Sequence, residues 1–377
     1  MNLPNHQPLI GELIQFSNLT QLKRSAFFAT HGAELDRIVT TPELFSPAVI
    51  HPPTQHFLRV ACWNIERGNR FEAVRHLLTH HPLLSSADVL LLNEVDVGMV
   101  RTGNRHVGFE LAEAVGMHCV YGAEYLELTK GIGEELNLPG ENTTALHGNA
   151  ILSRYPLKQT RLIQLPVCFE PFHFHEKRYG SRIALYAEIE LSTGQRLALV
   201  TAHLEVRDTP ACRGRQMQYI LDWLRHNQLP VVFGGDWNTN TFPRGTRLRT
   251  AKSTARVLLT DPKALQHVLK HPDTGEEPLF EALRASGFEW NDLNDDQPTC
   301  SVPLASMEDA ALIPGLIRSW ITHRIEQHAG HLHMRLDWIA SRGMKAASPG
   351  VTVADYWVDG QPASDHAPIV VDLTNEE

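Results

Sequence analysis

The chain predicts an α+β layered sandwich, and three observations carry that reading. Apolar runs of strand length recur from one end to the other. Helical stretches are few and separated, and a large irregular region interrupts the strands late in the chain. At 377 residues, 42% hydrophobic and 20% charged, the chain can bury a substantial core.

Residues 1–55 read as a helical extension of mixed polarity, ended by the helix-breaking "HPPTQ" at 51–55. The body, 56–377, opens with the strand "FLRVACWNIE" (57–66), the amphipathic helix "RFEAVRHLLTHH" and the apolar strand "DVLLLNEV" (88–95), of the kind buried on both faces. "ELAEAVGM" is again helical. The β-rich stretches "NAILSRYPL", "RIALYAEIEL" and "RLALVTAHLE" follow, the last two joined through "STG", which is hairpin chemistry. A helix, "ACRGRQMQYILDWLRHN", leads into the strand "PVVFGGDWN". An insertion from about 240 to 330 precedes three closing strands, "MRLDWIASRG", "GVTVADYWV" and "APIVVDL".

Composition excludes some classes of function. Net charge is −9, with 34 basic against 43 acidic residues, so no strong nucleic-acid footprint is visible apart from the brief "RGTRLR" at 244–249. No segment reaches the ~20 apolar residues of a membrane span, and no targeting segment is recognisable, so a soluble, cytoplasmic protein is expected. The cysteines at 62, 119, 168, 212 and 300 are odd in number and contain no C-x-x-C pair, which predicts reduced, mostly buried thiols.

Several strands run directly into acidic, amide or imidazole groups. Asn64 and Glu66 end the first, Glu94 the second, His203 and Glu205 a later one, and Asp236 and Asn238 the next; Asp337 lies in another, and Asp365 with His366 precedes the last. Each alone is explained by a turn or cap. Together, at the strand ends of one sheet edge, they can converge on a pocket where gathered carboxylates require a cation. Oxygen ligands without sulfur suit Mg²⁺ or Mn²⁺, and the whole set suits phosphate-ester hydrolysis.

The tags "CWNIE", "LLLNEVD", "HGNAILSRYPL", "TAHLE", "GGDWN", "RLDWI" and "SDHAPI" occur, over roughly residues 57–374, in the order seen in the endonuclease/exonuclease/phosphatase superfamily, the DNase I-like proteins. The resemblance implies a four-layer α/β/β/α sandwich, two packed mixed sheets flanked by helices, with 56–377 as the catalytic domain. It implies Glu94 as the direct metal ligand with Asn64, Glu66 and Asp365 nearby. Asp236 resembles the residue that activates water, Asn238 the amide that holds the phosphate, His366 the phosphate-contacting histidine and Asp337 its partner. His203 resembles a histidine of the phosphatase, DNase I and sphingomyelinase branches. The function expected is a metal-dependent phosphoesterase acting on a diester or monoester. The alternatives are an endo- or exonuclease acting on DNA or RNA, and an inactive binding or scaffold protein on the same fold.

Arg101 and Asn104 in "RTGNRH", and Asn149 in "HGNAIL", are candidate substrate contacts, with Arg178 in "EKRYGSR" a weaker one beside the reading as a solvated loop. "HFH" (173–175) and "HLH" (331–333) place paired imidazoles at strand spacing, but no further zinc ligands stand at recognisable distances, so solvated or substrate-facing histidines are expected. Trp237 and Trp338 are expected to pack between the sheets.

Overall fold

The structure, a computed structural model, describes residues 3–51, 53, 57–239, 259–275, 277–303 and 331–375. Most of the 240–330 insertion, "RGTRLR" included, lies outside the described residues.

Two mixed sheets form the centre. The first contains β1 (Glu43–Phe45), β2 (Leu58–Asn64), β3 (Val89–Val97), β4 (His118–Glu127), β5 (Leu146–Ser153), β7 (Arg178–Gly180), β14 (Met344–Thr352) and β17 (Ile369–Asn375). Its order is β1-β4-β5-β3-β2-β17-β14, with β7 added against β4; only β2 and β3 run parallel. The second contains β6 (Lys158–Gln164), β8 (Ile183–Glu190), β9 (Arg196–Ala202), β10 (Val231–Asp236) and β13 (Asp337–Arg342), in the order β13-β10-β9-β8-β6, with β9 and β10 parallel. Small ribbons β11 (Cys300–Pro303) with β12 (His331–Met334), and β15 (Trp357–Val358) with β16 (Gln361–Pro362), complete the strands described. "MRLDWIASRG" is therefore broken at Arg335 and Leu336 into two strands of different sheets.

Side-chain alternation creates the layers. Leu58, Val60, Cys62, Val89 and Leu91 on the first sheet meet Leu197, Leu199, Val232 and Ile339 on the second, forming a dry core between them. The opposite face of the first sheet, with Trp63, Leu90 and Leu92, buries the apolar sides of α1 (Gln7–Leu13), α2 (Leu19–Lys23), α3 (Ala26–Thr40), α4 (Phe71–His80) and α5 (Val107–Val115). On the second sheet, Val200, Phe233 and Ala340 meet α6 (Pro210–Leu224) and the helix Pro278–Ala285. The result is the four-layer α/β/β/α sandwich. Trp237 and Trp338 belong to this outer layer, packed with Phe280, and not between the sheets as expected. Period-2 alternation explains the correction: Ile339 takes the inward position, so Trp338 must point outward.

Two more expectations are corrected. Cys168 and Cys212 form a disulfide with Cα atoms 6.1 Å apart, whereas Cys62, Cys119 and Cys300 are buried thiols. A separation of 44 residues gives no sequence signal for that pairing. "HFH" is not a strand: Pro171–His173 is a 3₁₀ turn, and His173 and His175 are both exposed. Among the described residues, no helix is long and apolar enough to cross a membrane.

Candidate active site

Adjacent strands of the two sheets bring their ends to one cleft of about 240 Å³. Asp236 is the last residue of β10, directly opposite Asp337 at the start of the antiparallel β13. Gly235 is required immediately before it: at φ +153°, a Cβ would lie 2.0 Å from the Ala202 carbonyl oxygen on β9. The turn-forming reading of Asp236 is correct for one oxygen. Oδ1 accepts the Asn238 backbone N–H at 2.9 Å, while Oδ2 faces Asn64 Nδ2 at 3.1 Å, His203 Nε2 at 3.4 Å and His366 Nε2 at 3.9 Å. The Asp236 backbone N–H is held by Asn93 Oδ1 at 2.7 Å.

Burial, and then the negative charge of Asp337 across the strand pair, raises Asp236 to about 7, against the opposing effects of His366 and the hydrogen bonds from Asn238 and Asn64. His366 lies beside both acids. Its Nδ1 donates to Asp337 Oδ2 at 2.7 Å; burial opposes its charge, but Asp337, then Cys300, Asp365 and Asp236, hold it well above the ordinary histidine value. His203 has the opposite fate, since burial first and Arg182 second push it well below that value and keep it neutral. The cleft thus sets two imidazoles with opposite shifts beside the same oxygen of the Asp236 carboxylate.

Glu94 reaches the cleft through a local break in β3. Register shifts between Leu92 and Val95 against β5, and Glu94 adopts φ +53°. Such a bulge re-aims a side chain. Asn93 turns toward Asn149 and Asp236, and Glu94 accepts from Asn64 Nδ2 at 3.2 Å. Burial alone would raise the Glu94 carboxyl, but His147, Arg67 and His366, with the Asn64 hydrogen bond, hold it below the ordinary value. Glu66, whose backbone N–H donates to Asn64 Oδ1 at 3.0 Å, is raised to about 7 by burial, Asp365 and Glu94. Asp365 stands exposed. Among the described residues, it is Asp236, Asp337 and His366, and not Glu94, Glu66 and Asp365, whose possible metal donors all lie within 4.8 Å of one another. There the 2.7 Å Asp337–His366 contact needs a proton on Nδ1, which competes with a metal on the same atom.

Asn238 sits at φ +50° with Nδ2 donating to the Leu204 carbonyl at 3.0 Å, and it lines the cleft with Asp236, His203, Glu94, Asp365 and His366. Arg101, Asn104 and Asn149 do not line it. The Arg101 guanidinium grips Asp96 through Nε at 2.7 Å and Nη2 at 3.0 Å, with both side chains almost fully buried. Asn104 joins a loop through the Glu141 carbonyl and the Thr143 N–H. Asn149 is one shell behind, between Asn93 and Glu124. Arg101→Met is therefore expected to lower the free energy of unfolding by about 3 kcal/mol or more, because Asp96 would be left as a buried charge without its guanidinium; a urea titration measures it.

The wall contains Arg178, the weaker of the expected substrate contacts, and further charged groups to which no role was assigned from the sequence. Arg67, His147, Glu176, Arg178 and Arg182 line it, with Arg178 paired to Glu127 at 2.8 Å and Glu176 at 2.6 Å, and Arg182 to Glu124 at 2.8 Å. Thr299, within "QPTC", receives the backbone N–H groups of Leu336 and Asp337 on its Oγ1 and so fixes the Asp337 end. The buried acids within strands, Glu124 and Glu127, were the available signal for buried arginine partners.

A four-layer sandwich with carboxylates, amides and two histidines at one end of its sheets defines a class of hydrolase that acts on phosphate esters. Residues 61–366 match the Endonuclease/Exonuclease/phosphatase family, and the chain belongs to that family. No curated protein matches it. Among solved structures it is similar to an endonuclease/exonuclease/phosphatase family protein from Leptotrichia buccalis C-1013-b, at 14% identity over 84% of this chain and 99% of the other, TM-score 0.49. It is also similar to the 3'-5' exonuclease NExo from Neisseria meningitidis (15% identity, 85% and 100% covered, TM-score 0.45). A third is the mannosyl-6-phosphatase Bt3783 from Bacteroides thetaiotaomicron (12% identity, 84% and 99% covered, TM-score 0.43).

Proposed function

We propose that the chain is a metal-dependent phosphoesterase in which Asp236 removes a proton from the attacking water. The observation that carries this reading is the placement of Asp236, a buried carboxylate with one oxygen fixed by the Asn238 backbone N–H and the other directed at His203 and His366. A carboxylate whose burial favours its protonated form, with one oxygen free toward the cleft, can accept a proton from water and release it afterwards. His366, kept cationic by Asp337, neutralises charge developing on the phosphoryl oxygens, and Asn238 and neutral His203 donate hydrogen bonds to the same group. Asp337 orients His366 and does not itself exchange protons with substrate.

Glu94, Glu66 and Asp365, with the Asn64 amide beside them, form a donor set suited to Mg²⁺ or Mn²⁺, because hard carboxylate oxygens gathered together repel one another and a divalent cation relieves that repulsion. When bound there, the ion supplies charge stabilisation for the leaving oxygen. Asn64 couples the two halves, since its Nδ2 contacts both Glu94 and Asp236.

The acidic overall balance, 34 basic against 43 acidic residues, favours a small or headgroup phosphate ester over long duplex DNA as substrate. The test offers bis-p-nitrophenyl phosphate, p-nitrophenyl phosphate and supercoiled plasmid side by side, with Mg²⁺ or with EDTA. Ester turnover abolished by EDTA is expected. Plasmid nicking that collapses with added salt, without ester turnover, would assign the chain to the nucleases, and no metal-dependent turnover of any substrate would leave a binding protein on this fold.

A further inference from the structure

Beside the polar groups, the cleft has a wall of different chemistry. Phe169, Pro171 and Phe174, from the segment between β6 and β7, line it together with Val206, Met334 and Leu336. Phe169 and Phe174 meet edge to face with ring centroids 5.4 Å apart, and the Arg207 guanidinium lies 4.1 Å from the Phe174 centroid and 5.9 Å from that of Phe169. Phe169, Phe174 and Val206 keep part of their surface exposed to the cleft. The disulfide joins two of the three chain segments that build this wall. Cys168 immediately precedes Phe169, and Cys212 lies in the first turn of α6, just after the stretch carrying Val206 and Arg207.

Water against such a surface is displaced at a gain by apolar groups and at a loss by polyols, which need hydrogen bonds that phenylalanine, proline, valine, methionine and leucine do not offer. Asp236 and His366 line the same cleft as this wall, so the space beside a phosphate bound to them is bounded by it. We propose that this wall binds the alcohol portion of the substrate and selects an apolar, ring-bearing group, and that the Cys168–Cys212 disulfide is the positioning element that holds the segment of Phe169 and Phe174 in register with that of Val206 and Arg207. The inference rests on the phosphoesterase reading for the phosphate end of the cleft. Aromatic anchors beside fixed polar groups are the usual means by which a pocket separates ligands of one charge but different shape.

The experiment uses the full chain with Mg²⁺ and compares binding of phenylphosphonate and methylphosphonate, whose carbon–phosphorus bonds resist hydrolysis, by calorimetry. Phenylphosphonate is expected to bind roughly tenfold more tightly, and Phe169→Ala and Phe174→Ala should each bring that ratio toward one. In turnover of phenyl phosphate, the double variant Cys168→Ser/Cys212→Ser should raise KM several-fold while kcat is kept, a split that general loss of structure would not produce. Equal binding of both phosphonates, binding of neither, or a preference untouched by both phenylalanine variants would overturn the wall's role. An unchanged KM in the cysteine variant would overturn that of the disulfide. Preference in binding without turnover of either phenyl phosphate or bis-p-nitrophenyl phosphate would sink the phosphoesterase reading and leave the wall standing; turnover without preference would do the reverse.

Discussion

Asp236→Asn is expected to fold normally and to lose roughly 10²–10⁴-fold in kcat, because an amide accepts no proton from water. The amide oxygen can still take the Asn238 backbone N–H, so the turn after β10 survives. Stability should hold or rise, since the substitution removes a buried carboxylate directly opposite Asp337, and like charges at that spacing destabilise the strand pair. Single-turnover kinetics and thermal unfolding of the same preparation test both parts. Near-wild-type turnover would remove Asp236 from the mechanism, and a large fall in stability would mean its charge is needed for the fold.

Glu94→Gln should shift the Mg²⁺ concentration for half-maximal activity upward by roughly tenfold or more, because a neutral amide is a poor ligand for a hard dication. Position should be little disturbed. Asn64 Nδ2 can still donate to the remaining side-chain oxygen, and the bulge that aims residue 94 is a property of the β3–β5 register. An unchanged half-saturation point would place the metal elsewhere, with Asp236, Asp337 and His366 the next set to examine.

The strands that were legible in the sequence are those with uninterrupted apolar runs, such as β3 and β10. β4 was not, because "HCVYGAEYLE" breaks its pattern with a glycine and two acids. Both irregularities have tertiary causes. A Cβ at Gly122 would lie 2.9 Å from Ile183 Cδ1 on the second sheet, and Glu124 is the buried partner of Arg182. β6 was missed for the opposite reason: as an edge strand it exposes most of its side chains and carries little apolar signal. At the site, the strand-end residues Asn64, Glu94, His203, Asp236, Asn238, Asp337 and His366 stood out because each interrupts or ends a hydrophobic run with a group that has little reason to be there. Arg67, His147 and Glu176 gave no such signal.

The sequence by itself determined the sheet-rich class and the chemistry available at the ends of its strands, because the period-2 burial pattern and the side-chain types are local properties. Partnership was decided only by the tertiary structure. Arg101 faces Asp96 instead of the cleft, Cys168 meets Cys212, and Trp338 points away from the facing sheet. Asp236 and Asp337 likewise come to stand opposite one another with His366 beside them. Each of these depends on which distant segments the folded chain places side by side, and the charge state of the site follows from that placement, since desolvation and neighbouring charge act through space and not along the chain.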